Sequence, residues 1–161
     1  MSELITVGIS DLNVAKDPDT LVTYALGSCV GICLYDPVAK VAGLSHIMLP
    51  SSVQSSCASQ KMKFADTAPA ILVIKMIAKG AAKPRLSAKI AGGAQMFASA
   101  AGSVVGNIGQ RNIDAVKATL KALNIPIVAE DVGSNYGRTL YFDATTGTMR
   151  IKSGAHGETC F

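Results

Sequence analysis

The chain has 161 residues, 49% of them hydrophobic and 16% charged, with no Trp and a formal net charge of +4. That length is enough for one domain that buries its own core without disulfides or metal, and the apolar content excludes a disordered chain. The 15 Lys and Arg residues are scattered, with no basic block and no interleaved aromatics, so nucleic-acid binding is not expected.

The first residues, Met1-Ser2-Glu3-Leu4, place no basic segment ahead of a long apolar stretch, and no run approaches the ~18 apolar residues of a membrane helix. The expectation is a cytoplasmic protein without membrane insertion. Thiols stay reduced there, so the irregularly spaced Cys29, Cys33, Cys57 and Cys160 read as free cysteines.

In chain order, residues 4–10 and 21–25 are short and β-branched and read as strands, with turn chemistry between them at Asp17-Pro18-Asp19. Gly27-Ser28 breaks the pattern, 30–35 resumes it, Asp36-Pro37 turns, and 41–48 returns. This predicts a hairpin that brings the region after Cys29 close to the region before His46, in a register the sequence does not fix. Residues 50–61 are Ser-rich and aperiodic and read as an exposed loop bordering the site, with Cys57 inside it. Residues 64–79 read as a helix, apolar nearly all round and largely buried, with Lys75 and Lys79 on one exposed edge. A short strand over 88–91 ends at Gly92-Gly93. A second helix over about 110–122 presents Ile113, Val116, Leu120 and Leu123 inward and stops at Asn124 and Pro126. Residues 127–132, 138–143 and 148–152 complete the strands, the last two joined through Thr145-Thr146-Gly147, and 153–161 reads as a loose tail. About seven strands, with two helices set between strand groups, predict an α+β fold of mixed sheets flanked by helices within a single domain, 1–161.

The chemistry centres on Cys29 in Leu26-Gly27-Ser28-Cys29, with His46 seventeen residues downstream. A free Cys is often a small buried hydrophobe and a lone strand His is often structural. The turn argues otherwise, because Gly27 and Ser28 permit a bend that exposes the sulfur and aims backbone N–H groups at a developing oxyanion. A thiol attacks carbonyl carbon when a neighbouring imidazole takes its proton, and His46 is the candidate. The other histidine, His156 in Gly154-Ala155-His156-Gly157, lacks rigid support. Thr23, at an even separation from Cys29, is the candidate third member, its hydroxyl or its backbone carbonyl accepting the ring N–H. A metal module built on Cys29, Cys33, His46 and Cys57 lacks a Cys-x-x-Cys knuckle. The glycines from Gly102 to Gly109 lack the Gly-Lys-Ser/Thr ending of a phosphate loop. No cofactor or metal is therefore expected.

Thr23-Tyr24-Ala25-Leu26-Gly27-Ser28-Cys29-Val30, Leu34-Tyr35-Asp36-Pro37 and Ser45-His46-Ile47-Met48-Leu49-Pro50 together resemble the signature of the chemoreceptor glutamine deamidases, the CheD family. Further blocks follow in the family's order: Lys63-Phe64-Ala65-Asp66, Lys89-Ile90-Ala91-Gly92-Gly93-Ala94-Gln95-Met96-Phe97, Ile108-Gly109-Gln110-Arg111-Asn112 and Glu130-Asp131-Val132-Gly133-Ser134-Asn135. Ser134 stands where a second Gly is expected, and Phe64 where Tyr is common. The resemblance implies a Cys29, His46 and Thr23 triad and a β-sandwich flanked by helices, similar to the catalytic domain of cytotoxic necrotizing factor toxins. It also implies hydrolysis of receptor glutamine side chains to glutamate through a cysteine thioester, in chemotaxis adaptation. The implied partners are the cytoplasmic domain of methyl-accepting chemotaxis receptors and a CheC-type phosphatase. Gly27 and Ser28 would meet the substrate, and Gly92-Gly93 either ends a strand or lines the groove that admits a receptor helix. An adapter that binds receptor or phosphatase, and a receptor methylesterase using the same site, are the alternative readings.

Overall fold

A computed structural model describes residues 2–53, 55–56, 59–96 and 107–161. Among these residues the chain forms ten strands and two α-helices: β1 Leu4–Thr6, β2 Asp11–Lys16, β3 Thr20–Leu26, β4 Val30–Asp36, β5 Val41–Ile47, α1 Ala68–Ala78, β6 Ser87–Gly92, α2 Ile108–Ala122, β7 Ile127–Val132, β8 Arg138–Asp143, β9 Met149–Ser153 and β10 Gly157–Cys160. The strands make two five-stranded sheets, in the orders β1-β3-β8-β9-β10 and β2-β5-β4-β6-β7. Both are mixed: β1 runs parallel to β3 and β6 parallel to β7, and the remaining pairs are antiparallel. The fold is α+β, as the alternation of elements predicts.

Two apolar layers hold it together. Ile32, Leu34, Ile47 and Ile90 of the second sheet pack against Leu72 and Met76 of α1 and Val116 and Leu120 of α2. The opposite face of that sheet, through Cys33, Leu44 and Ala91, packs on Leu21, Leu140 and Phe142 of the first. The middle sheet is thus covered on both sides, which is why β4 and β5 are buried along their whole length. The two helices end by the same device. Gly80, at φ 108°, and Asn124, at φ 58°, take the left-handed conformation just past α1 and α2, and the following N–H groups close back onto Met76 and Leu120.

The predicted hairpin forms, with β4 and β5 paired from Val30↔Ile47 to Asp36↔Val41. Several boundaries differ. Residues 11–16, unassigned from sequence, form β2, an edge strand paired with β5, and strand 4–10 stops at Thr6. Helix α1 begins at Ala68, because Phe64 bridges to Leu49 and Pro69 suits a first helical turn. It is also less buried than its composition suggests, with Ile74 67% and Ile77 48% exposed. The segment after Ser153 is not loose. A short 3-10 turn leads into β10, which pairs with β9, and the Phe161 backbone exchanges two hydrogen bonds with Met149. Cys57 and most of the Gly102 to Gly109 stretch lie outside the described residues.

Candidate active site

The connection from β3 to β4 passes from the first sheet to the second, and Cys29 sits on it. After a bulge between Thr23 and Leu26, with Ala25 at φ 59°, the chain leaves the first sheet, passes through Gly27-Ser28-Cys29, and enters the second at Val30. All three connecting residues are half-buried. The carbonyl of each accepts a hydrogen bond from behind: Gly27 from the Ala94 N–H at 2.8 Å, Ser28 from Asn112 Nδ2 at 2.8 Å, and Cys29 from the Gly93 N–H at 2.8 Å. In a planar trans peptide the N–H points opposite to the C=O. The Ser28 and Cys29 N–H groups therefore turn away from that backing, and among the described residues neither donates to a backbone carbonyl.

His46 is fully buried on β5, opposite Gly31 of β4. Cys29 lies two residues before Gly31 on the same face and packs on the core between the sheets. It stands just ahead of the ladder's first pair, Val30↔Ile47, beside the strand end that carries His46. Across the sandwich, Thr23 of β3 is also fully buried, and its Oγ1 lies 2.6 Å from His46 Nδ1. The Thr23 hydroxyl donates to the Val7 carbonyl at 2.7 Å, so towards the imidazole it can only accept. Nδ1 must then carry the proton, and Nε2 presents its lone pair. That Nε2 is buried and, among the described residues, has no hydrogen-bond partner.

Burial pushes the imidazole pKa down to about 4, so His46 is neutral at physiological pH. It also pushes the Cys29 thiol up, with the residue's own backbone N–H acting in the opposite direction. At rest the pair is thus a thiol and a neutral base rather than a preformed thiolate. Cys33 is a different case. It is fully buried between the sheets and its pKa is raised well above the ordinary thiol range by that burial, against the opposing charge of Lys89.

Thr23, His46, Gly27, Ser28 and Cys29 thereby lie at one end of the sandwich, Thr23 reaching His46 from the opposite sheet. Gly92 ends β6, and Gly93 follows it. Both are buried, behind the Cys29 loop. A Cβ on Gly92, at φ 107°, would overlap the Cys29 carbonyl oxygen, and one on Gly93 would overlap Ile113. They bring the β6 end into close contact with the loop. His156 stacks on Tyr136, ring centroids 3.9 Å apart, with the Arg138 guanidinium 4.5 Å above the Tyr136 ring. The residue that spacing alone misses is Asn112, whose signal is its position three after Gly109, on the same helix face.

Residues 48–153 match the family described as CheD chemotactic sensory transduction. The chain is 54% identical over 156 residues to a probable chemoreceptor glutamine deamidase CheD of Caldanaerobacter subterraneus subsp. tengcongensis, covering 97% of this chain and 96% of that protein. It is 56% identical over 149 residues to a protein of the same description from Clostridium botulinum strain Hall, covering 92% of each. The span shared with these relatives takes in nearly the whole chain, and on it the chain belongs to the CheD family.

Proposed function

We propose that this chain hydrolyses the side-chain amide of glutamine residues in chemotaxis receptors to glutamate, with Cys29 as nucleophile, His46 as general base and acid, and Thr23 as the group that orients the imidazole. The observation that carries the reading is the bond from His46 Nδ1–H to a Thr23 hydroxyl whose own proton is spent on Val7. That arrangement leaves the histidine one protonation pattern, with the basic nitrogen free for the thiol. The high identity to proteins described as glutamine deamidases supplies the substrate class.

Each step then follows from the residues present. As Cys29 Sγ attacks the carboxamide carbon, its proton passes to His46 Nε2, a C–S bond forms, and the carbonyl π pair moves onto oxygen. The outward N–H groups of Ser28 and Cys29 are the donors available to that oxyanion. Collapse of the tetrahedral species breaks the C–N bond, and Nε2–H gives its proton to the departing nitrogen, releasing ammonia and leaving a thioester. Water attacks next, Nε2 takes its proton, the C–S bond breaks, and the proton returns to sulfur. The net change is amide plus water to carboxylic acid plus ammonia, and the product ionises to glutamate.

A neutral resting pair suits this task, because a burial-raised thiol stays protonated until a carbonyl is in place. Incubating receptor cytoplasmic fragments with the protein and mapping Gln to Glu conversion by peptide mass spectrometry tests the reading. Conversion by wild type and none by Cys29→Ala is the expected result. Equal conversion by both would remove Cys29 from the chemistry.

A further inference from the structure

We infer that Asn112 is a positioning residue for the reaction, a side-chain staple that fixes the Cys29 loop against the strand end carrying His46. This rests on the proposed use of Cys29 and His46. Helix α2 closely approaches the segment after β6 that backs the loop because Gly109 has no side chain; a Cβ there would stand 2.5 Å from the carbonyl oxygens of Gly93 and Ala94. One turn further on the same face, Asn112 is fully buried, and its Nδ2 donates to two carbonyls, Ser28 O at 2.8 Å and Met48 O at 3.0 Å. Both facing atoms are acceptors, so the amide must present its NH2 to them.

The two carbonyls belong to the two halves of the site. Ser28 immediately precedes the nucleophile, and Met48 follows His46 by two residues. The β4–β5 ladder ends at Val30↔Ile47, and the Met48 N–H is spent on Lys63 O. Among the described residues no backbone hydrogen bond joins 27–29 to 48–49 beyond that ladder, so the Asn112 amide is the polar bridge between them. Its other atom, Oδ1, is buried and, among the described residues, has no hydrogen-bond partner, an arrangement that disfavours the fold locally. The side chain is thus not optimised for stability alone; what it secures is the placement of Sγ relative to Nε2. Being buried, it does not touch substrate, and it acts only through that placement.

The test is Asn112→Leu, close in shape but without donors, read in two ways. In receptor deamidation, kcat falls by about 10²-fold while KM stays within about twofold, as expected for a small misplacement at the reacting atoms. In iodoacetamide alkylation of Cys29 at neutral pH, N112L reacts as slowly as His46→Gln, and the double variant N112L/H46Q reacts no slower than H46Q, because the two act as one unit. A folded N112L that keeps the wild-type kcat and alkylation rate overturns the inference, since a residue that only held the fold would lower the melting temperature and leave both rates alone. N112S keeps one donor on the same face and gives the same reading at smaller amplitude where N112L does not fold. The alkylation readout needs no receptor. Coupled alkylation without glutamine conversion would therefore sink the deamidase reading and leave this inference standing.

Discussion

Thr23 and His46 belong to different sheets and meet across the buried interior of the sandwich, Oγ1 to Nδ1 at 2.6 Å, with the hydroxyl proton already committed to Val7. One hydroxyl thereby selects a tautomer and holds a ring plane. Thr23→Val keeps shape and burial but removes both functions. It leaves the ring N–H and the Val7 carbonyl buried and unpaired, which costs about 1–3 kcal/mol for each group. Deamidation is expected to fall by about 10²-fold, the penalty of a misplaced base. Thr23→Ser, which keeps the hydroxyl, is expected to retain most of the rate. A Val variant as fast as the Ser variant would show that the hydroxyl orients nothing.

The depressed pKa of His46 also makes a stability claim. The unfolded chain binds a proton on this histidine near pH 6.5, and the folded chain only near pH 4, so falling pH favours unfolding over that window. The contribution is fully present above pH 6.5 and is lost as pH drops through 4, a total of about 3 kcal/mol. Urea unfolding of wild type and His46→Gln at neutral pH and near pH 4 reads the difference directly, because the titrations of other groups cancel between them. Wild type is expected to lose more stability than H46Q over that range. The acid limb of kcat/KM, which reports the free enzyme, is expected to sit correspondingly low. Parallel stability curves would mean that His46 titrates in the folded state as it does in water.

Much of this site is legible in the chain because it is local. The Cys29 turn is marked by Gly27, the hairpin by Asp36-Pro37, and His46 by its place on the returning strand, so the pairing of β4 with β5 follows from short-range signals. Thr23 meets His46 for a reason the sequence does not carry. Even spacing suggests one strand face shared with Cys29, but the bulge after Thr23 and the change of sheet intervene, and the contact is instead made across the sandwich. β2 is missed because its alternation is diluted by Asn13 and Lys16, and β10 because Gly157, Glu158 and Thr159 are all exposed and pair only as an edge. Gly92, Gly93 and Asn112 act through long-range packing onto the Cys29 loop, which no local pattern encodes.

Ser134 adopts φ 60°, next to Gly133 at φ 83°, in a loop whose backbone meets Gly92 and Gln95. The left-handed region disfavours an L side chain by about 1–2 kcal/mol, and Gly escapes this while giving back about 0.5–1 kcal/mol in unfolded-chain entropy. Ser134→Gly is therefore expected to stabilise the fold by up to about 1 kcal/mol, a rise of about 2–4 °C in Tm. Catalysis should not change. A lower melting temperature would show that the serine side chain contributes something its backbone geometry does not reveal.

Gly92 and Gly80 share nearly the same φ, 107° and 108°, in opposite surroundings. A Cβ on Gly80 meets nothing within 4 Å, whereas one on Gly92 runs into the carbonyl of Cys29. Gly80→Ala and Gly92→Ala each place a Cβ at a positive φ, at a cost of order 1–3 kcal/mol, and G92A adds the overlap. G92A is therefore expected to lose more stability than G80A in urea unfolding, because its Cβ must displace the Cys29 loop. The kinetic expectation follows the same logic: G80A, though destabilised, keeps its kcat, while folded G92A loses about 10²-fold as the sulfur is displaced from the imidazole. If both variants lost equal stability and kept equal rates, the close approach of β6 would not be what sets the position of Cys29.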